Sequence, residues 1–105
     1  MPKAASDDPA LGLPDDVAPY RRSPEFDQDT LPAALQREHS TKAGTWALIH
    51  VLEGELLYRV LDPPSEQILK PGVPGLVVPQ QLHEVERRGP VRMFVEFYAQ
   101  PRHDA

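Results

Sequence analysis

The sequence contains no cysteine, which excludes a disulfide framework, a thiolate nucleophile and a cysteine metal site. It also has no stretch approaching the ~18 apolar residues of a membrane-spanning helix, and its N-terminus lacks the basic and apolar regions of a secretory signal. Positive charge is scarce as well, because 11 Lys and Arg face 16 Asp and Glu. The formal charge of -5 disfavours nucleic acid and anionic membranes as partners. These absences predict a soluble, cytoplasmic protein.

The chain has 105 residues, which is enough for one domain. Thirteen of them are proline, a content that argues against long helices. Residues 1–16 are rich in Ala, Asp and Pro and have few large apolar groups, so they predict a disordered N-terminal tail. Residues 17–100 are predicted to form the folded domain. Residues 101–105 have no hydrophobic periodicity and predict a frayed C-terminus.

Short apolar runs separated by Gly and Pro turns dominate the folded part. TWALIHVL (45–52) is typical of a strand buried on both faces, and a turn is predicted at 53–54 before a partner strand at 55–61. Two further strands near the C-terminus are expected on either side of a turn at 87–90. Such spacing is typical of an all-β sandwich or barrel.

The four histidines are the first candidates for chemistry, because metal sites without cysteine draw on imidazole and carboxylate. His83 follows a proline-bearing loop and shares a strand face with Val85, so its imidazole is expected near the mouth of the barrel. His39 precedes the polar loop STKAG and is also expected to be functional. His50 lies within an apolar strand and is interpreted as a packing or interface residue, while His103 is interpreted as a solvated tail residue.

Glu96 is the most unusual carboxylate, since it interrupts the apolar strand VRMFVEFYAQ. Burying it costs several kcal/mol unless it is paired, hydrogen-bonded or metal-bound. Two interpretations are open: a metal ligand, or a buried ion pair with Arg37 or Arg92. Lys42 could bind an anion near the barrel mouth or simply be solvated.

Three segments together indicate a family: REHSTKAGTWALIHVLEGELLYRV, PGVPGLVVPQQLHEVE and VRMFVEFY. Over about Leu13–Tyr98 the chain resembles the small cupin-like family that includes the N-terminal domain of the TehB tellurite-resistance methyltransferase and the stress-induced YeaR proteins. The resemblance implies a small cupin fold, that is, a double-stranded β-helix or jelly-roll barrel, often homodimeric and with a metal near its mouth in many relatives. The most specific motif is HxTKxGxW, formed here by His39, Thr41, Lys42, Gly44 and Trp46.

The chain departs from the general cupin pattern at its first motif. Cupins carry two histidines one residue apart and then a glutamate, whereas this sequence has His39, Thr41 and, at the expected glutamate position, Ala47. The second-motif histidine corresponds to His83. The resemblance therefore implies a reduced site in which His39, His83 and Glu96 or water hold a divalent ion such as zinc, iron or nickel.

Three functions remain open from the sequence. The first is a metal-binding cupin that captures a small molecule or oxyanion, with tellurite as the candidate by analogy and Lys42 and Arg37 attracting the anion. The second is a metal-dependent oxygenase-like or hydrolytic enzyme with unknown catalytic residues. The third is a metal-free dimeric structural or regulatory module that pairs through Met93, Val95 and Phe97. Because no glycine-rich motif for a nucleotide-like cofactor is present, methyltransferase activity is not expected from this chain.

Overall fold

The computed structural model describes residues 12–101, which form an all-β structure with one short 3-10 helix. The predicted fold class is thereby confirmed at the level of all-β architecture. This range contains no helix of the length and apolarity needed to cross a membrane. The predicted tail up to residue 11 and the predicted frayed end from residue 102, including His103, lie outside the described residues. The elements are β1 (Ala18–Arg22), β2 (Phe26–Asp27), the 3-10 helix (Ala33–Gln36), β3 (Trp46–Leu61), β4 (Pro64–Leu69), β5 (Gly75–Val77) and β6 (His83–Ala99).

The strands form one antiparallel sheet around two long central strands. Its main order is β1-β6-β3-β4, with β2 also paired to β6 and β5 also paired to β3. The central strands, β3 and β6, pair from Trp46 opposite Tyr98 to Val60 opposite His83. The hydrogen-bonded order is open rather than closed into a ring. Every other strand is therefore positioned by β3 or β6.

A bulge replaces the predicted turn at residues 53–54. The prediction of a hairpin there was wrong, because β3 continues through these residues and its register with β6 shifts on either side of Glu53 and Gly54. Gly54 has φ 80, and a Cβ added to it would lie 2.1 Å from the Pro90 carbonyl oxygen. Only glycine fits such a close backbone approach. The turn predicted at 87–90 is likewise part of a continuous β6.

The bulge changes which residues of β3 face the core. Side chains in a strand alternate between faces, so an extra residue reverses the assignment beyond it. The β3 residues of the main core cluster are odd-numbered before the bulge and even-numbered after it. They are Ala47, Ile49 and Val51, and then Leu56, Tyr58 and Val60.

The main core cluster lies on this face of the β3–β6 pair, while Leu48, Leu57 and Phe94 are buried on the other. Leu56 and Leu69 are fully buried in this cluster, and burying each such side chain contributes about 1.5–3 kcal/mol. Met93 and Val95 belong to the same core, and Phe97 packs against it. Met93 and Val95 are therefore buried within the chain and are not available for the predicted contact with a second copy, while pairing through the partly buried Phe97 stays a prediction.

Candidate functional site

A cavity of about 510 Å³ lies against the core face of the sheet. Apolar side chains of β3 and β6, among them Ile49 and Val95, form much of its lining. His39 and His83 also line it, together with the residues that follow His39. The two predicted metal-binding histidines therefore line the same cavity.

The two histidines are brought together by an isolated antiparallel β-bridge. The His39 amide donates to the His83 carbonyl oxygen at 3.0 Å, and the His83 amide donates to the His39 carbonyl oxygen at 2.9 Å. Their ring centroids lie 4.1 Å apart with an interplanar angle of 63°. The short 3-10 helix precedes this bridge, and the bridge fixes the spacing of the rings.

Backbone carbonyls set the proton position on both rings. His39 Nδ1 lies 2.9 Å from the Arg37 carbonyl oxygen, and His83 Nδ1 lies 2.8 Å from the Gln81 carbonyl oxygen. A carbonyl oxygen only accepts hydrogen bonds, so each Nδ1 carries the proton. In the neutral rings each Nε2 then presents a lone pair, as in metal-binding histidines oriented by a backbone carbonyl.

His83 is held in its neutral form by its surroundings. It is 2% exposed, and burial lowers its pKa below 6.5, with the nearby His39 acting in the same direction and the bond to the Gln81 carbonyl opposing it. The Tyr58 ring packs against it edge-on at 5.7 Å. Burial raises the pKa of Tyr58 to about 12, and its hydroxyl donates to the Leu76 carbonyl oxygen at 2.7 Å. Tyr58 is thus a rigid, neutral support for the His83 imidazole.

The segment between His39 and β3 is fixed by backbone contacts. The Thr41 hydroxyl donates to the Thr45 carbonyl oxygen at 2.7 Å, and the Gln80 amide donates to the Thr41 carbonyl oxygen at 2.9 Å. Lys42 lies in this segment, is exposed and lines the cavity, as its place in the polar loop predicts. Arg37 does not line the cavity: its side chain is exposed, and the residue contributes its carbonyl oxygen to His39.

Glu96 does not join the histidine pair. Along β6 the residues that line the cavity are odd-numbered, including Met93 and Val95, so Glu96 points to the opposite face. The predicted cluster of His39, His83 and Glu96 is thus contradicted by the strand geometry. Because both faces of this strand carry apolar residues, the sequence pattern alone could not decide which one is inside.

Glu96 instead belongs to a polar cluster on the outer face. The Tyr98 hydroxyl donates to Glu96 Oε1 at 2.8 Å, and His50 Nε2 lies 3.3 Å from the same oxygen. Arg22 lies 3.9 Å from Glu96 Oε2 and places its guanidinium 4.3 Å from the centroid of Phe94. Glu96 therefore pairs with the exposed Arg22, and neither of the predicted partners, Arg37 and Arg92, contacts it.

Two cavity-side residues were missed at the sequence level. Tyr58 shares strand parity with Leu56 and Val60, and that apolar alternation was a usable signal for its inward position. Arg21 lines the cavity from β1, with its Cζ atom 5.9 Å from the centroid of the Phe97 ring. No sequence pattern distinguishes Arg21 from its neighbour in the run YRR, so only the three-dimensional fold identifies it.

The donor set suits a partial metal site. Within residues 12–101 there is no group of three or more His, Asp or Glu side chains placed to share one ion. Two imidazole Nε2 atoms suit a divalent transition metal such as zinc, iron or nickel. The remaining coordination positions would fall to water or to a ligand in the cavity.

A model of the TehB-like domain matches residues 21–95, most of the chain. The chain belongs to the TehB-like domain family. It is 38% identical over 73 residues to a protein of Haemophilus influenzae strain Rd named probable S-adenosyl-L-methionine-dependent methyltransferase TehB, and 37% identical to its counterpart in strain 10810. Each match covers 64% of this chain and 25% of the relative. The chain thus spans about a quarter of the length of these curated relatives.

Solved structures show the same fold. A crystal structure of a protein from Escherichia coli K12 superposes with a TM-score of 0.78 at 19% identity, covering 86% of this chain and 97% of the other. TehB of Haemophilus influenzae gives a TM-score of 0.75 at 30% identity, covering 82% of this chain and 32% of TehB. The FeII HppE structure gives a TM-score of 0.53 at 19% identity, covering 78% and 42%.

Proposed function

We propose that this TehB-like domain is a cupin-type binding domain in which His39 and His83 hold a divalent metal ion and a small ligand occupies the adjoining cavity. One observation carries the proposal: both imidazoles donate Nδ1–H to backbone carbonyls and line the same cavity. That arrangement leaves the Nε2 atom of each ring without a backbone bond and fixes each ring in orientation. The similarity of fold to HppE supports the cupin assignment of the sheet.

Four residues of this chain would have separate roles in such a site. His39 and His83 would supply the protein ligands, Tyr58 holds the His83 ring in place, and Lys42 places a positive charge at the cavity. A bound divalent cation would supply an anchoring charge for an anionic ligand atom. The methyltransferase activity in the name of the Haemophilus relatives is not part of this proposal, because the match spans a quarter of their length.

A metal-free binding domain is the second candidate. It is favoured by the small donor set, since structural and catalytic zinc sites take three or four protein ligands and residues 12–101 bring together only two imidazoles here. In that case the same cavity would bind its ligand through Lys42 and the neutral imidazole pair.

Metal titration of three single variants separates these candidates. Co²⁺ absorption spectroscopy and calorimetry with Zn²⁺ on wild type should give about one ion per chain. His39→Ala and His83→Ala should each weaken binding by at least ~100-fold, because loss of supporting groups alone costs 10–100-fold. The matched control is His50→Ala, on the outer face, which should bind as wild type does.

Folding of each variant is checked by its urea midpoint, so that loss of binding is not confused with loss of structure. No binding to folded wild-type protein would leave the metal-free candidate. Equal loss in the His50→Ala variant would show that the ion does not bind at the His39–His83 pair.

A further inference from the structure

The cavity carries positive charge within an acidic protein. Over the chain, 16 Asp and Glu outnumber 11 Lys and Arg, yet the charged residues that line the cavity within the described range are Arg21 and Lys42. Neither forms an ion pair with another residue of 12–101. A cleft whose charges share one sign concentrates ligands of the opposite sign. The cavity therefore suits an anion.

Much of the remaining lining is apolar and suits a ligand with an apolar body, although Ser23, Ser40, Thr41 and Thr45 also line the cavity. The cavity is lined by five side chains that offer no hydrogen-bond donor to an anion: Ile49, Val77, Val85, Met93 and Val95. A fully hydrated inorganic anion would lose water against these walls without replacement, which is unfavourable. A hydrocarbon or aromatic body would instead gain from the same contact.

The size of the cavity favours an organic ligand as well. At about 510 Å³ it falls within the usual range of small-molecule sites, roughly 300–1,000 Å³. An oxyanion with three oxygens takes the space of about three to four water molecules, roughly 100 Å³. Such an ion would fill a minor part of the cavity and leave the apolar walls wet.

We infer that the ligand of this cavity is a small organic carboxylate, with its apolar body against β3 and β6 and its charged group beside Lys42, Arg21 and the imidazole pair. This ligand class deepens the proposed function and rests on it, because the cavity is taken as the binding site. A carboxylate oxygen is also a suitable donor to a divalent metal held by two imidazoles.

Benzoate and benzamide form a matched pair of probes, nearly equal in shape and different in charge. Their affinities are measured by NMR titration of ¹⁵N-labelled protein at constant ionic strength, with acetate and tellurite as anions that lack an apolar body. Benzoate should bind about tenfold or more tightly than each of the other three, because it alone combines attraction to a nearby cation with apolar contact. The shifted amides should be those of the cavity lining.

Charge-removing variants identify the carboxylate subsite. Lys42→Gln and Arg21→Gln should each weaken benzoate by about three- to tenfold and leave benzamide unchanged, since removing a surface cation removes one Coulomb contact. Lys70→Gln, an exposed lysine away from the cavity, is the matched control and should change neither. Equal affinity for benzoate and benzamide, or tighter binding of tellurite or acetate, would overturn the inferred ligand class.

Titrations of metal-free and metal-loaded protein keep the two proposals separate. If metal binds through His39 and His83 but benzoate does not bind either form, the carboxylate inference is wrong and the metal site stands. If benzoate binds the cavity while no metal binds, the ligand class stands and the metal role fails.

Discussion

The two faces of the β3–β6 pair place histidine in contrasting circumstances. On the cavity face, His39 and His83 are tied to carbonyl oxygens through Nδ1, which leaves Nε2 for a ligand. On the outer face, His50 has a buried Nε2 that lies 3.3 Å from Glu96 and makes no hydrogen bond within the described residues, and its ring stacks on Phe94 at 4.8 Å. Under the proposed function, the backbone bond at Nδ1 distinguishes His39 and His83 from His50.

The bulge formed by the extra residue Leu52, between Val51 and Glu53, decides which face of the sheet His50 occupies. With uninterrupted alternation, His50 would share the face of Leu56 and Tyr58 and point toward the core. The extra residue reverses this parity, so Ile49 faces the cavity and His50 faces outward. The contrast between the two faces thus depends on this bulge, which Gly54 closely follows, as well as on the histidines.

Substituting Gly54 should have the largest effect on this contrast. Gly54→Ala forces a Cβ to within 2.1 Å of the Pro90 carbonyl oxygen at φ 80, so we expect a loss of at least ~3 kcal/mol in the free energy of unfolding. Gly89→Ala is the control, because it has φ 93 but no heavy atom within 4 Å. It should lose only about 1–2 kcal/mol from backbone strain. Urea unfolding measures both, and equal losses would contradict this role of the bulge.

Removing the outer-face carboxylate should have an intermediate effect. Glu96→Gln weakens the contacts with Tyr98, Arg22 and His50, so the free energy of unfolding should fall by about 1–2 kcal/mol. Metal affinity should stay within about twofold of wild type, since independent sites do not couple. Glu55→Gln, at an exposed position, should change stability by less than ~0.5 kcal/mol. Loss of metal binding in Glu96→Gln would indicate that Glu96 is a metal ligand and would contradict its assignment to the outer face.

The smallest predicted effect is the pH dependence that His83 adds to stability. Burial lowers its pKa in the folded protein below 6.5, so in the window beneath 6.5 the unfolded chain binds more protons. Stability contributed by neutral His83 is therefore complete above this window and declines as pH falls through it. Urea midpoints of metal-free wild type and His83→Gln, compared at about pH 7.5 and 5.5, should show a shallower decline in the variant. Parallel declines would contradict the assignment.

The fold class and the histidine pair could be predicted from the sequence because both leave local signals. Period-two apolar runs and Gly and Pro turns indicated the strands, and the motifs around His39 and His83 indicated the family. The pairing itself is a non-local bridge, so only the family resemblance connected the two residues.

The placement of Glu96 could not be predicted, and the reason is physical. Both faces of β6 are apolar near it, with Phe94 and Tyr98 on one side and Val95 and Phe97 on the other. Alternation says which residues share a face but not which face is buried. In β3 the sequence around the bulge resembles a turn, because glycine is common in both bulges and turns. The change of strand parity there could therefore not be predicted either.

A long-range ¹H–¹⁵N spectrum of the imidazole nitrogens, recorded during Zn²⁺ titration at about pH 7.5, tests the central claim most directly. The account predicts Nδ1–H tautomers for His39 and His83 in the metal-free protein, followed by large Zn²⁺-induced shifts of their two Nε2 resonances, with His50 unchanged. Unmoved Nε2 resonances on His39 and His83, or a metal-induced shift confined to His50, would contradict it.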